Sequence, residues 1–241
     1  AKGPPPVPPM TLAPLDGGEE LDADSKTLRE ALVAQLKKDG IEVDLAARTV
    51  SIGIEVVQPV DPLEYVLIHQ KGKDHESLLL TKAKPSKINA ALRLLGLRPG
   101  ANAKVQMKDP PPTFEEVEAG ADPMIITPPG GMRVWLTTAF SVDGERKVFP
   151  VEDLVIDMTT GLPMADNFWV FLGGNMAPMY RNEPPVFMAD YEGNLVSAVY
   201  MTPPNHLVTN RHPRARDEFN WWVAKVCPQP GTVGKLTFHV R

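Results

Sequence analysis

Cysteine, long apolar runs and excess positive charge are what this sequence has little of. Its single cysteine, Cys227, excludes a disulfide within one chain and any cysteine-rich metal or iron–sulfur cluster. No stretch approaches the run of about 18 apolar residues that a membrane-spanning helix needs. The 25 basic and 30 acidic residues give a net charge of −5, which disfavours double-stranded nucleic acid as a partner. With 241 residues, 43% of them apolar, the chain is expected to bury a sizeable core as a soluble globular protein.

Proline is abundant at the start of the chain. Five prolines fall between positions 4 and 9, and an acidic, glycine-containing stretch follows from 16 to 24. Because proline has a fixed φ and no amide hydrogen, residues 1–23 are predicted to be a disordered tether. The chain opens at Ala1 rather than at methionine. This fits an exported protein whose signal has been removed, and equally a sequence given without its leader.

Apolar periodicity predicts the first elements. Helical spacing favours a helix over residues 25–39, which Gly40 ends. Alternating residues at 41–44 and 50–56 predict a hairpin with one face in water. Pro85 is suited to the first turn of a second helix, predicted over residues 85–95.

A second hairpin is expected between these helices. Residues 63–69 and 77–81 are typical of strands, and residues 70–73 would form the turn between them. Residues 109–131 are rich in proline and glycine and are interpreted as an irregular insertion. Residues 218–226 are predicted to form a last short helix.

Later segments complete the predicted fold class. Further strands are indicated at 132–137, 148–156, 168–172, 186–189, 195–201 and 236–240. Many short strands with few helices, and no regular βα alternation, favour an α+β class. We therefore expect residues 24–241 to form a single α+β domain, a mainly antiparallel β-sheet with a few short helices packed on it.

A family resemblance rests on several strings of residues. These are His-Glu-Ser-Leu-Leu at 75–79, Ala-Lys-Pro-Ser-Lys-Ile at 83–88, Ala-Ala-Leu-Arg-Leu-Leu-Gly-Leu at 90–97, Trp-Val-Phe-Leu-Gly-Gly at 169–174 and Asp-Tyr-Glu-Gly-Asn-Leu-Val-Ser at 190–197. Across residues 40–210 the chain resembles the YdjY-like domain family. The resemblance implies an exported bacterial protein, periplasmic or secreted, and implies no activity.

Histidine and acidic residues around the second predicted hairpin are candidate metal ligands. If residues 70–73 form a tight turn, His69 and His75 lie near each other, and Glu76 adds a carboxylate. Two imidazoles and a carboxylate are a minimal zinc set, with water, His206 or His212 in the fourth position. Such a site would make the protein a metal-dependent hydrolase with Glu76 as base. We favour the alternative, in which His75 and Glu76 are a polar pair at the start of a strand.

Other catalytic arrangements have less support. Ser77 or Ser86 could act as a nucleophile with His75 and Asp74, but neighbouring residues of a strand point to opposite faces. The sequence also contains no Gly-x-Ser-x-Gly elbow. Paired carboxylates at 115–116, or at 153 and 157, resemble the pairs of glycosidases, but solvated charge is the usual explanation.

Two groups of residues are candidate ligand-binding sites. Nine basic residues lie between positions 71 and 108, among them Lys84, Lys87 and Arg93, and the predicted helix start at 85–86 adds free amides that could hold an anion. They could bind an acidic cell-surface polymer or glycan, but we favour a solvated helix face with neighbouring acidic loops as the explanation. Trp169 and Gly173 could form a stacking surface for a carbohydrate, or could be core residues ending in a turn.

The function that these observations favour is a non-enzymatic one. We expect an exported bacterial domain that binds a polymer or protein, or has a structural role, at the cell envelope. A zinc-dependent hydrolase centred on His69, His75 and Glu76 is one alternative, and an anionic-polymer or glycan binding module is the other.

Overall fold

The computed structural model describes residues 23–57, 62–165 and 168–240. The predicted tether at 1–23 lies, except for its last residue, outside these ranges. The helices are α1 (Ala23–Lys38), α2 (Pro85–Leu94), α3 (Phe114–Glu118) and α4 (Met188–Glu192), and the 3₁₀ turns are η1 (Asp74–Glu76), η2 (Val151–Leu154) and η3 (Pro213–Arg216). The strands are β1 (Ile41–Asp44), β2 (Thr49–Val56), β3 (Tyr65–His69), β4 (Ser77–Thr81), β5 (Lys104–Met107), β6 (Met124–Thr127), β7 (Arg133–Val142), β8 (Glu145–Pro150), β9 (Val155–Asp157), β10 (Leu162–Pro163), β11 (Trp169–Phe171), β12 (Met176–Ala177), β13 (Val186–Phe187), β14 (Asn194–Ser197), β15 (Val208–Thr209), β16 (Trp221–Val223) and β17 (Val233–Val240).

Eight of these strands close into a β-barrel. They follow one another in the order β2, β17, β7, β11, β15, β14, β3 and β4. The ring closes because β4 pairs back to β2 through Glu55↔Leu80 and Val56↔Leu79. Strands β1 and β8 lie outside the ring, paired to β2 and β7 respectively. The predicted α+β fold with an antiparallel sheet is therefore wrong, because the main sheet closes on itself and contains two parallel pairs, β3–β4 and β14–β15.

The interior of the barrel is filled by apolar side chains. Strand β2 alternates so that Val50, Ile52, Ile54 and Val56 are buried, as expected for a strand with one face on the core. One layer can be followed through the register from β2 around to β11, and each member is at most 1% exposed: Val56, Leu79, Leu67, Val196, Val208 and Phe171. The barrel interior is therefore a packed core, to which strands around the ring contribute side chains.

Helix α2 forms where the sequence predicts it. Lys84 is the extended N-cap, Pro85 occupies the first turn, and Gly96 adopts φ +89° just beyond the end. Its buried face, which includes Ile88 and Leu92, joins the core and lies against α1, α4 and β1. Helix α1 and strands β1 and β2 also match their predicted ranges closely.

A small second sheet packs on the barrel. Strand β9 pairs with β10 and β16, and the Leu63 amide joins this sheet to the barrel by donating to the carbonyl of Trp221 at 2.8 Å. Val151, Leu154 and Trp221 contribute buried apolar side chains to the common core. The predicted helix at 218–226 is wrong, since this stretch contains β16, and the predicted strand at 148–156 is split by η2.

The predicted irregular insertion at 109–131 contains regular structure. Helix α3 lies within it, and β6 pairs with β5 from just before it. Thr113 caps α3 in a capping box with Glu116. This capping box is a local sequence signal for a helix, but the high proline content of the segment obscured it. Across the described part of the chain, none of the helices is long and apolar enough to cross a membrane.

Candidate functional site

The predicted metal ligands lie along two parallel strands. The expected hairpin is wrong, because β3 and β4 run in the same direction, with Tyr65 opposite Ser77 and His69 opposite Thr81. His75 precedes Ser77 and therefore lies at the opposite end of β3 from His69. Four strand positions at about 3.3 Å each separate these ends by roughly 13 Å. The structure does not bring His69 and His75 together.

The other two histidines considered as zinc ligands lie in packed surroundings. His206 is 1% exposed, and His212 packs edge-on against the Trp221 ring at 5.2 Å. In the three described ranges, no group of three or more histidine, cysteine or acidic side chains is placed to hold a metal ion.

Glu76 is part of a charge cluster at the start of β4. Lys73 Nζ lies 2.7 Å from Glu76 Oε1 and 3.6 Å from Glu64 Oε2. Burial, and then the neighbouring Glu76 carboxyl, raise the pKa of Glu64. One lysine therefore compensates two carboxyl groups, and this cluster ties the loop before β4 to the start of β3.

The basic residues predicted to bind an acidic polymer take part in the packing of α2. Lys84 Nζ lies 3.1 Å from Asp190 Oδ2, and Lys87 Nζ lies 2.5 Å from Asp39 Oδ1. The Lys87 hydrogen bond lowers the pKa of Asp39. Arg93 is exposed on the same helix. These ion pairs link α2 to α4 and to the end of α1.

The first turn of α2 holds a carboxylate of the protein itself. The Ser86 amide donates to Asp190 Oδ1 at 2.7 Å, in the position where an anion at a helix N-terminus is expected. Ser77, the other serine considered as a nucleophile, is buried and donates from Oγ to the Lys73 carbonyl at 2.6 Å. The Ser77 hydroxyl and the Ser86 backbone amide thus have structural hydrogen bonds.

Trp169 and Gly173 occupy packing positions. The Trp169 ring is fully buried in the core, and its Nε1 donates to Glu152 Oε1 at 2.8 Å. Gly173 adopts φ +76°, and a Cβ there would lie 2.8 Å from Pro99 Cγ. Phe168 precedes Trp169 in the chain and is on the opposite, outer face.

An aromatic and cationic site is built around Phe168. The guanidinium carbon of Arg133 lies 4.1 Å from the centre of the Phe168 ring, and that of Arg211 lies 5.1 Å away. The Trp135 ring is 6.2 Å from Phe168, inclined at 42°. These four residues form what we call the arginine–aromatic site.

The pleat of β7 determines which side chains reach this site. Val134 and Leu136 point into the barrel, so Arg133 and Trp135 point outward. Strand β7 pairs with β11 at its beginning and with β8 from Thr137 onward. Because β7 changes its neighbour here, a gap is left in the outer surface beside Trp135.

A cavity of about 440 Å³ occupies this gap. Burial raises the pKa of Asp153, which lines the cavity, whereas Glu152 accepts the hydrogen bond from the Trp169 indole. The lining residues are Arg133, Trp135, Pro150, Glu152, Asp153, Met164 and Phe168. Two aromatic rings, the Arg133 guanidinium group and the carboxyl groups of Glu152 and Asp153 thus meet at one concave site, and the Arg211 guanidinium group lies over the Phe168 ring beside it.

This arrangement suits a ligand that has both a flat apolar face and a negative charge. Aromatic rings stack against the apolar faces of sugars and other rings, and guanidinium groups bind carboxylate or phosphate through paired hydrogen bonds. Of the paired carboxylates considered from the sequence, Asp153 lines this cavity and the other three lie elsewhere. Asp157 Oδ2 accepts from Arg214 at 2.5 and 2.8 Å, and Glu116 caps α3 beside the exposed Glu115.

Sequence patterns identified the strands of this site but missed the site itself. The alternation of residues along the chain placed Trp135 and Phe168 on strands. The same alternation indicates that each side chain lies on the outer face of its strand. Arg211 comes from the loop after β15, and nothing in the spacing indicated that it lies over Phe168.

Comparison with known protein families identifies a match. The family model described as the YdjY domain matches residues 41–202, about two thirds of the chain. This range contains most of the barrel, together with Arg133, Trp135, Asp153 and Phe168. No curated protein and no solved structure matches the chain.

Proposed function

The chain belongs to the YdjY domain family, and we propose that it is a non-enzymatic domain that binds an acidic polysaccharide at the bacterial cell envelope. The observation that carries this proposal is the Phe168 ring, which has the guanidinium carbons of Arg133 and Arg211 4.1 and 5.1 Å from its centre and the Trp135 ring 6.2 Å away. The polysaccharide class that fits is one built of uronic acids, since each unit has a carboxylate and a ring with an apolar face.

The dimensions of the arginine–aromatic site support a ligand of this kind. Its cavity of about 440 Å³ falls in the range of roughly 300–1,000 Å³ for small-ligand sites. Arg133 and Arg211 lie on the exposed surface, so a long polymer can pass across the site without entering the barrel.

The charges near the cavity support binding without catalysis. Glycoside hydrolysis needs two carboxyl groups flanking one bond. Of the acidic residues next to Asp153 in this region, Glu152 is held by the Trp169 indole and Asp157 by the Arg214 guanidinium. Both Glu152 and Asp153 line the cavity, but Glu152 already accepts the indole hydrogen bond, so Asp153 is the carboxyl group that a ligand would meet there.

The proposal is tested by calorimetric titration of the whole chain with tetragalacturonate and with its methyl ester. The ester keeps the ring and removes the charge, so binding should be weaker by about tenfold or more for the ester. Phe168→Ala and Arg133→Gln should each weaken tetragalacturonate binding, whereas Arg146→Gln, an exposed arginine on β8, should not. Equal binding of acid and ester, or no binding of either, would overturn the proposal.

The pH dependence supplies a second measurement. Because burial raises the pKa of Asp153, its carboxylate gains a proton at a higher pH than usual as the solution is acidified. Loss of that negative charge beside the arginines should strengthen tetragalacturonate binding as the pH falls toward the raised pKa of Asp153. Asp153→Asn should bind more tightly at pH 7 and lose this pH dependence. The envelope location is tested separately, by fractionating cells that express the complete gene.

A further inference from the structure

Strand β2 changes its neighbour along one edge, as β7 does at the arginine–aromatic site. Residues 49–52 pair with β1, Glu55 and Val56 pair with β4, and β17 occupies the other edge. Gly53 and Ile54 lie between the two pairings. A cavity of about 340 Å³ lies at this gap, at the low end of the roughly 300–1,000 Å³ of small-ligand sites. The gap therefore has room for a small molecule.

The outer face of β2 presents a glycine at this gap. Gly53 and Glu55 are the exposed positions of the alternating strand. Glu55 lies opposite Val233 on β17 and Leu80 on β4, and all of these residues line the cavity. A Cβ at Gly53 would meet nothing within 4 Å, and its φ is not left-handed, so glycine leaves space that a side chain could fill. Because Val233 is 69% exposed, the cavity also offers apolar surface for a ligand to cover.

Two uncompensated charges of opposite sign border the cavity. Of its three charged lining residues, Asp39 is paired with Lys87 at 2.5 Å. The other two, Lys82 and Glu55, are exposed, and neither has an ion-pair partner among the described residues. Leu80 lies directly opposite Glu55 and Lys82 follows two positions later, a diagonal arrangement in which Cα atoms are roughly 7–8 Å apart. One ammonium group and one carboxylate are thus available to the same small ligand.

We propose that this cavity binds a free apolar α-amino acid. The ammonium group of the ligand binds the Glu55 carboxylate, and its carboxylate binds the Lys82 ammonium group, through charge-assisted hydrogen bonds. Its side chain occupies the space over Gly53, against Leu80 and Val233. A ligand with a single charge leaves one of the two protein charges uncompensated, so a zwitterion fits better than an anion or a cation. The cavity shares no lining residue with the cavity of the arginine–aromatic site, so the two proposals stand or fall separately.

Chemical-shift titration of the isotope-labelled whole chain with leucine tests this inference. Each comparison ligand lacks one group: leucinamide lacks the carboxylate, N-acetylleucine lacks the ammonium group, and glycine lacks the apolar side chain. Leucine should bind more tightly than each of them, by about tenfold or more, and should shift the amide signals of Gly53 and Leu80.

The comparison ligands also identify the alternatives. Equal binding of leucinamide would overturn the proposal in favour of a peptide N-terminus, and equal binding of N-acetylleucine would overturn it in favour of an apolar anion. If glycine binds as tightly as leucine, the apolar part of the argument is wrong. The proposal fails altogether if neither leucine nor phenylalanine shows saturable binding at concentrations up to about 10 mM.

Filling the cavity from the protein side locates the binding. In Gly53→Val the added side chain occupies the space left by the glycine, so leucine binding should be lost. Valine suits a strand position without close neighbours, so the unfolding midpoint should stay the same or rise. Leucine binding retained in Gly53→Val would place the ligand elsewhere and refute this site.

The charge variants are paired with the ligand that lacks the matching group. Lys82→Gln should weaken leucine binding by about tenfold without weakening leucinamide binding, and Glu55→Gln should weaken leucine binding without weakening N-acetylleucine binding. Lys104→Gln and Glu145→Gln, at exposed positions of β5 and β8, are matched controls and should bind leucine as the parent chain does. Equal weakening of leucine and leucinamide by Lys82→Gln would contradict the assigned orientation of the ligand.

Discussion

The buried His206 predicts that the protein loses stability in mild acid. Its side chain is 1% exposed, and the Leu207 amide next to it donates to the Leu195 carbonyl of the neighbouring strand. Among the described residues, His206 Nε2 has no hydrogen-bond partner. Burial lowers the pKa of His206 from 6.5 to about 4. The folded protein therefore holds the neutral ring, and the unfolded chain can protonate it.

The size of the effect follows from the two pKa values. The contribution of the neutral ring is fully present above pH 6.5 and is lost as the pH falls toward the folded pKa of about 4. Each pKa unit corresponds to about 1.4 kcal/mol, so the whole shift is worth roughly 3 kcal/mol. Between pH 7 and pH 5 the free energy of unfolding should fall by about 2 kcal/mol from this residue.

Urea unfolding at pH 7, 6 and 5 measures this loss, with His206→Gln as the comparison. Glutamine does not titrate, so the variant should lose about 2 kcal/mol less than the parent chain over this range, whatever its stability at pH 7. If His206→Gln shows the parent's full pH dependence, the buried ring is not the group that takes up the proton, and the reasoning fails.

Two further predictions concern close contacts in the core. Asp157→Ala should lower the free energy of unfolding, measured in urea, by about 2–4 kcal/mol, because it leaves the Arg214 guanidinium and other donors without their acceptor. A decrease below about 1 kcal/mol would mean that solvent replaces this ion pair. Gly193→Ala should lower the unfolding midpoint far more than Gly40→Ala does. Both glycines have φ near +77°, but a Cβ at 193 would lie 2.4 Å from the Gly72 amide nitrogen, and a Cβ at 40 meets nothing within 4 Å. Similar unfolding midpoints for the two variants would show that the loop at Gly72 shifts to accommodate the added Cβ at little cost in stability.

Local patterns were enough to predict several elements. The helix at 85–95 was predicted from Pro85 and the following glycine, and the structure has α2 over Pro85–Leu94. Alternation at 41–44 and 50–56 likewise predicted β1 and β2. These signals are reliable because caps and side-chain periodicity depend on residues a few positions apart.

Strand direction was beyond the reach of such patterns. The short connection between residues 69 and 77 suggested a hairpin, but β4 pairs in parallel with β3 and antiparallel with β2. Periodicity specifies which face of a strand is buried and says nothing about which edge pairs with which. The separation of His69 and His75 follows from this single difference.

The arginine–aromatic site is another feature that local sequence patterns did not predict. Arg133, Phe168 and Arg211 are 35 and 43 positions apart, and they come from β7, from the start of β11 and from the loop after β15. Each is ordinary in its own segment. They meet only because β7, β11 and β15 are neighbours in the barrel.

The sequence by itself determined the family, many apolar core positions, the limits of α1 and α2 and most strands, since these depend on local spacing and on recognisable strings of residues. The closed barrel, the parallel pairs, the burial of Trp169 and the cavity beside Trp135 were decided only by the tertiary structure. The physical reason is that closure and side-chain proximity arise from pairings between strands far apart in the chain, as with β2 and β17. Such pairings are selected by the packing of the whole core, and no local window contains them.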